Sequence, residues 1–217
     1  MDEMIIVLFI CIVLPLSLGL VFMKGHAKEM TLFLEIGMFI CLLAAFVNGY
    51  AEGALGIPRV QMTFTITPLT EEVLKAIPIM FYVFLFKPGK NRIINNSLMV
   101  GIGFAILENA YIMMSDLSSI SIPWALLRGL GAGMMHGICT LIVGYGLTYV
   151  YLRRKLAIAG TYALLICAVV YHACYNLLIQ SDYRFFGILI PMATVIPAVL
   201  ILYLGKKKKA SLAKGND

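Results

Sequence analysis

The chain has 217 residues, of which 61% are hydrophobic and 13% charged, with a formal net charge of +6 and a mean hydropathy of +0.94. That much apolar surface exceeds what one small core can hide, which excludes a water-soluble domain and leaves a polytopic membrane protein. The basic excess falls in alternate loops and not in one patch, so no nucleic-acid partner is expected.

Seven stretches are long enough to cross roughly 30 Å of hydrocarbon as helices. They cover about residues 4–23, 30–47, 68–86, 94–114, 123–151, 156–179 and 185–205. The expected fold is all-α, a helix bundle in one domain over residues 1–217. The first span is not a signal peptide, because Asp2 and Glu3 stand where a basic region belongs and no small-residue cleavage site follows Ser17 and Gly19. Cys11, Cys41, Cys139, Cys167 and Cys174 all fall inside spans without metal-type spacing and read as small apolar packing residues.

Lys24, Lys28, Lys87, Lys90, Arg92, Arg153, Arg154, Lys155, Lys206 to Lys209 and Lys214 fall in one alternate set of loops; the other set holds only Arg59 and Arg184. The asymmetry places the N-terminus outside and the C-terminus in the cytoplasm, with the terminal lysine run as a topology anchor. The longest outer loop, 48–67, carries the turn signals Asn48-Gly49, Gly53 and Gly56-Ile57-Pro58. Its apolar remainder either orders over the bundle or dips in as a gate. Thr67 then reads as an N-cap with Pro68 at the first helical position.

The third span carries Glu71 and Glu72, with Lys75 one turn deeper on the same face, where it can pair with either carboxylate. Carboxylates in a first turn also suit the helix dipole at an interface, which is the plain alternative. In the fourth span Phe104 and Glu108 share a face, and Gly101 and Gly103 permit close helix approach. An incidental glutamate at the depth of Glu108 costs ~1–3 kcal/mol, so a site role or a partner such as Arg128 is required. The fifth span sets Arg128 and His136 eight residues apart, on the same side of the helix within about 80°. Thr140 and Gly144 continue the His136 face. In the sixth, His172 and Asn176 lie one turn apart. Four successive helices between 68 and 179 thus bring polar groups to similar depths in the outer half, as a catalytic core.

Glu71-Glu72-x-x-Lys75, Gly103-Phe104-x-x-x-Glu108-Asn109, Arg128 with His136 eight residues on, and His172-x-x-x-Asn176 resemble the ordered motifs of the PrsW family of intramembrane proteases. That family is similar in turn to the prenyl-protein (CaaX) endopeptidases and bacterial Abi proteins, which commonly carry His where this chain has Glu108. The resemblance runs from about Pro68 to Asn176. It implies hydrolysis of a membrane-anchored protein beside a prokaryotic cell membrane's outer leaflet, with an anti-sigma factor as one substrate.

Residue chemistry permits this. Glu72 or its neighbour Glu71 takes a proton from water, His136, His172 and Asn176 donate to the oxyanion, and Glu108 orients the water or acts as second acid. Lys75, Asn109, Arg128 and Asn176 are supporting residues. This metal-free glutamate mechanism is the favoured reading. The alternative is zinc held by Glu72 or Glu108 with His136 and His172, although the helical H-E-x-x-H spacing is absent. A proton-coupled transporter would also gather such groups, but neither internal repeats nor broken helices are evident. A non-catalytic scaffold would tolerate Glu108→Gln.

Overall fold

A computed structural model describes residues 3–115, 117, 121–150, 153–184, 186–187 and 189–197. It contains α1 (Glu3–Leu20), α2 (Gly25–Leu55), the short α3 (Arg59–Met62), α4 (Ile66–Phe86), α5 (Lys90–Ser115), α6 (Ile122–Val150) and α7 (Arg154–Ile179), with no strand among the described residues. Five of these, α1, α2, α5, α6 and α7, are long and apolar enough to cross a membrane. At 21 residues α4 is also long enough, but it carries Glu71, Glu72 and Lys75. The predicted span over 185–205 lies partly, and the lysine run 206–209 wholly, outside the described residues.

Large apolar side chains cover the exterior, among them Phe22, Phe81, Leu130 and Ile158. Such a surface suits a hydrocarbon solvent, where the drive to bury apolar groups is absent and tight backbone packing takes over. That packing is visible along α5, which lies between α2 and α6. A Cβ at Gly103 would collide with the Leu34 carbonyl of α2, and one at Gly101 with the His136 carbonyl of α6. The two glycines, two residues apart, therefore seat α5 against a different neighbour each. Gly37 meets Val100 in the same way, and Gly144 meets Ser97. In turn α6 packs on α7, and α4 closes the group by contacting α2, α5, α6 and α7.

Several boundaries differ from the sequence expectation: α1 ends at Leu20, three residues early, α2 and α5 begin at Gly25 and Lys90, five and four residues early, and two more ends differ for physical reasons. Asn48, Gly49 and Gly53 do not begin a loop; α2 runs eight residues past 47 and ends only at Gly56, whose left-handed φ of 62° lets its N–H reach the Glu52 carbonyl. An interior glycine costs a helix only about 1 kcal/mol, so a turn signal without a backbone need for positive φ does not stop it. Likewise α4 starts at Ile66 with Thr65 as N-cap, two residues early. Pro68 tolerates this because the first four helical N–H groups lack intrahelical partners anyway.

The remainder of the connection is ordered. Met62 of α3 is buried, and Thr63 is tied to α7 by Asn176 Nδ2 to its carbonyl at 2.8 Å and by Gln180 Nε2 to its hydroxyl at 2.5 Å.

Candidate active site

The early start of α4 puts Glu71 and Glu72 at its sixth and seventh positions, beyond the first turn, and both are buried at 5% and 1% exposure. The helix-dipole alternative therefore gives way to an interior role. One turn on, Lys75 is fully buried and its Nζ donates to Glu72 Oε1 at 2.6 Å. The same ammonium lies 2.9 Å from His136 Nδ1 and 4.5 Å from the centre of the Phe104 ring. It is thus held on α4, α5 and α6 at once.

The donor inventory fixes both histidine tautomers. Because an ammonium can only donate, His136 Nδ1 accepts from Lys75, and the ring proton sits on Nε2, which donates to Glu108 Oε2 at 3.0 Å. Arg128 reaches the same oxygen at 3.1 Å. The eight-residue spacing of Arg128 and His136 on α6 therefore delivers both groups to one carboxylate on α5. On α7, His172 Nδ1 donates to Glu72 Oε1 at 2.7 Å, and in the neutral ring the Nε2 lone pair faces Glu71 Oε2 across 3.9 Å. The two imidazoles meet edge to face, with ring centres 5.0 Å apart.

Glu71 differs from Glu72 and Glu108 in this network. Its Oε2 is buried and has no hydrogen-bond partner among the described residues. An unpaired carboxylate oxygen in such a place is costly unless something else fills its coordination. The ligand atoms of Glu71, His136 and His172 lie within 4.8 Å of one another, close enough for one metal ion. Two imidazoles and a carboxylate suit zinc, with a position left for water. Each imidazole also gives its other nitrogen to a carboxylate, His172 to Glu72 and His136 to Glu108, the arrangement that orients metal-binding histidines. The donor set suits such an ion, for which His136 Nδ1 would give up its bond from Lys75. Of the four residues named from sequence as zinc ligands, Glu72 and Glu108 occupy these outer positions, and Glu71 joins the histidines instead.

The remaining predicted residues lie at the rim. Asn109 reaches the Arg128 carbonyl with Nδ2 at 3.5 Å, while Asn176 holds Thr63 and not the carboxylate cluster. Cys41 and Cys139 pack inside as expected, whereas Cys11, Cys167 and Cys174 are on the exterior. Sequence reasoning does not single out Glu35, a buried carboxylate of α2 that accepts from Ser17 Oγ of α1 at 2.8 Å. The available signal was an acidic residue in an apolar span.

Buried carboxylates, imidazoles and a lysine gathered within a membrane helix bundle define a membrane protein with a polar centre of the kind that enzymes and proton-coupled transporters carry. The model of one family matches residues 26–204, and the chain belongs to that family, the PrsW family intramembrane metalloproteases. Neither curated proteins nor solved structures give a match. The chain is thus an integral membrane protease.

Proposed function

We propose that the four helices between residues 68 and 179 form a catalytic core that cleaves a single-span membrane protein, with Glu71, His136 and His172 holding a zinc ion. The observation that carries this reading is the unpaired, buried Glu71 Oε2 facing the free nitrogen of His172. When bound, such an ion polarises a scissile carbonyl and lowers the pKa of its water towards neutrality. The protein's own groups do the rest. Glu72 and Glu108 fix the two rings by accepting their outer protons, and Lys75 and Arg128 anchor those carboxylates. Three carboxylates against two permanent cations leave one negative charge in excess, which suits a divalent ion with a hydroxide. Ligation by His136 would replace its bond from Lys75, which would keep Glu72.

One observation favours a second reading. The Lys75 ammonium, seated between Glu72 and His136, already supplies a cation to the centre. In a metal-free hydrolysis Glu71 takes the proton from water and Lys75 stabilises the developing oxyanion. Both readings put Glu71, not Glu72, at the reacting centre, as a metal ligand in the first and as the base in the second.

The basic residues 87, 90, 92 and 153 cluster at the helix ends opposite Thr63, which supports cleavage on the extracytoplasmic side. The test uses proteoliposomes with a library of single-span peptides and an anti-sigma factor as first candidates. Wild-type cleavage lost on chelation and restored by zinc makes the enzyme a metalloprotease. Cleavage that survives the chelator but not Glu71→Gln makes it glutamic. Proton flux without cleavage would overturn both.

A further inference from the structure

A furrow of about 1170 Å³ runs between α5 and α6 on the outside of the bundle, with Thr194 and Val195 at one flank. Its walls are apolar, among them Leu98, Ile102, Ile106, Leu130 and Met134, and no charged side chain lines it among the described residues. On α5 it extends from Ile94 to Met113, about 28 Å at roughly 1.5 Å per residue, which matches the hydrocarbon thickness. Spread over that length, the volume gives a section of roughly 40 Å², about half that of a 10 Å helix cylinder. The dimensions are those of a bed for one membrane helix.

Two further features specify the occupant. Gly129 and Gly133, one turn apart on α6, face open space, so a helix backbone can approach them closely. Asn109 also lines the furrow; it is 7% exposed, and its Oδ1 has no partner among the described residues. A lipid tail has no donor to offer that oxygen. A polypeptide has one, as a Ser or Thr hydroxyl or as a backbone N–H freed where a helix unwinds. Asn109 follows Glu108 in the chain and donates to the Arg128 carbonyl, so the furrow adjoins the carboxylate cluster.

We infer that this furrow seats the membrane-spanning segment of the substrate, with small residues against Gly129 and Gly133 and a donor at Asn109, beside the catalytic centre. The inference rests on the peptidase reading and names the part of the substrate it would recognise. Such a track selects substrates by their span as well as by the residues around the scissile bond.

The test places a photoreactive benzoylphenylalanine at Ile106, in the furrow, or at Phe81, exposed on α4, both in Glu71→Gln protein in nanodiscs. The probe is a library of Leu/Ala single-span peptides with one Gly/Ala face and randomised flanks. Expected is labelling at least tenfold stronger from Ile106 than from Phe81, abolished by Gly133→Leu, whose added side chain enters open space. In otherwise wild-type protein Gly133→Leu or Gly129→Leu should lower the cleavage of spanning relative to span-less peptides at least tenfold. Equal labelling from both positions, labelling only of lipid or of a second copy, or an unchanged cleavage ratio would overturn the inference. Selective labelling without any wild-type cleavage would keep the docking track and sink the peptidase reading; cleavage without selective labelling would do the reverse.

Discussion

Two polar clusters occupy the bundle, and their difference separates anchoring from reactivity. At the end where α2 and α5 begin and α4 finishes, Glu29 accepts hydrogen bonds from Tyr82 and from Asn96 at 2.6 Å, with Arg92 at 3.5 Å and His26 at 3.7 Å. Both of its oxygens are engaged, and the Arg92 and His26 side chains beside it are open to the surroundings at 58% and 39% exposure. In the deep centre Lys75, His136 and His172 are all buried, yet Glu71 keeps one oxygen unpaired. A saturated carboxylate can only hold helices together; an unsaturated one opposite an imidazole lone pair has capacity left for water or metal. Glu35 also has an unpaired oxygen, Oε1, beside the Oε2 that accepts from Ser17, so what sets Glu71 apart is the imidazole opposite it.

The strongest way to break this comparison is to neutralise each carboxylate in turn. Glu71→Gln should lower kcat for a single-span peptide by about 10³-fold or more, within the range of a lost general base or metal ligand, with the melting temperature nearly unchanged. Glu29→Gln should leave kcat within about threefold while lowering the melting temperature, since a buried hydrogen-bonded group is lost. Similar losses of activity from both variants would erase the distinction. Next in size come Glu72→Gln and Glu108→Gln, which remove the acceptors that orient His172 and His136. Each should weaken zinc binding about 10–100-fold, read by competition with a chromophoric chelator. Unchanged affinity in both variants would show that these carboxylates do not support the ligands.

Much of the deep centre was legible because ionisable residues in apolar helices must converge or be paired. Helical periodicity alone put Glu71, Glu72 and Lys75 on one face, Phe104 with Glu108, and Arg128 with His136. What it could not give was the division of labour between Glu71 and Glu72. That depends on where α7 brings His172, which no spacing within α4 encodes. The Asn176 position, read as an oxyanion donor, instead meets Thr63 for the same reason: its partner lies 113 residues away. The Glu29 cluster escaped notice because its members sit at helix ends, where polar residues are ordinary. Helix extents were legible to within about five residues, with α2 beginning at Gly25 and not 30; the largest miss was the end of α2, where Gly49 and Gly53 resembled turn signals but carry no conformational demand.

The packing that carries the centre offers a third test. Gly103→Ala drives a methyl into the Leu34 backbone, which cannot move aside as a flexible side chain would, and should cost about 1–3 kcal/mol of stability. Gly49→Ala meets no neighbour and should be neutral or stabilising by up to about 1 kcal/mol. Reversible unfolding in mixed micelles distinguishes them. Equal effects would mean that α2 and α5 are not seated through glycine contact.

A small effect is expected from Tyr82→Phe, which tests the saturated carboxylate most cleanly. The ring of Tyr82 packs edge-on to Phe33, with centres 4.9 Å apart, and the substitution keeps that contact. Only the hydroxyl bond to Glu29 goes, and Asn96 still donates to the same carboxylate oxygen while Arg92 remains beside the other. The net loss should therefore be about 0.5–1.5 kcal/mol, the usual worth of one replaceable hydrogen bond, with kcat unaffected. Should Tyr82→Phe instead reduce kcat more than it reduces stability, Glu29 would belong to the reaction, and saturation of a carboxylate would no longer mark it as an anchor.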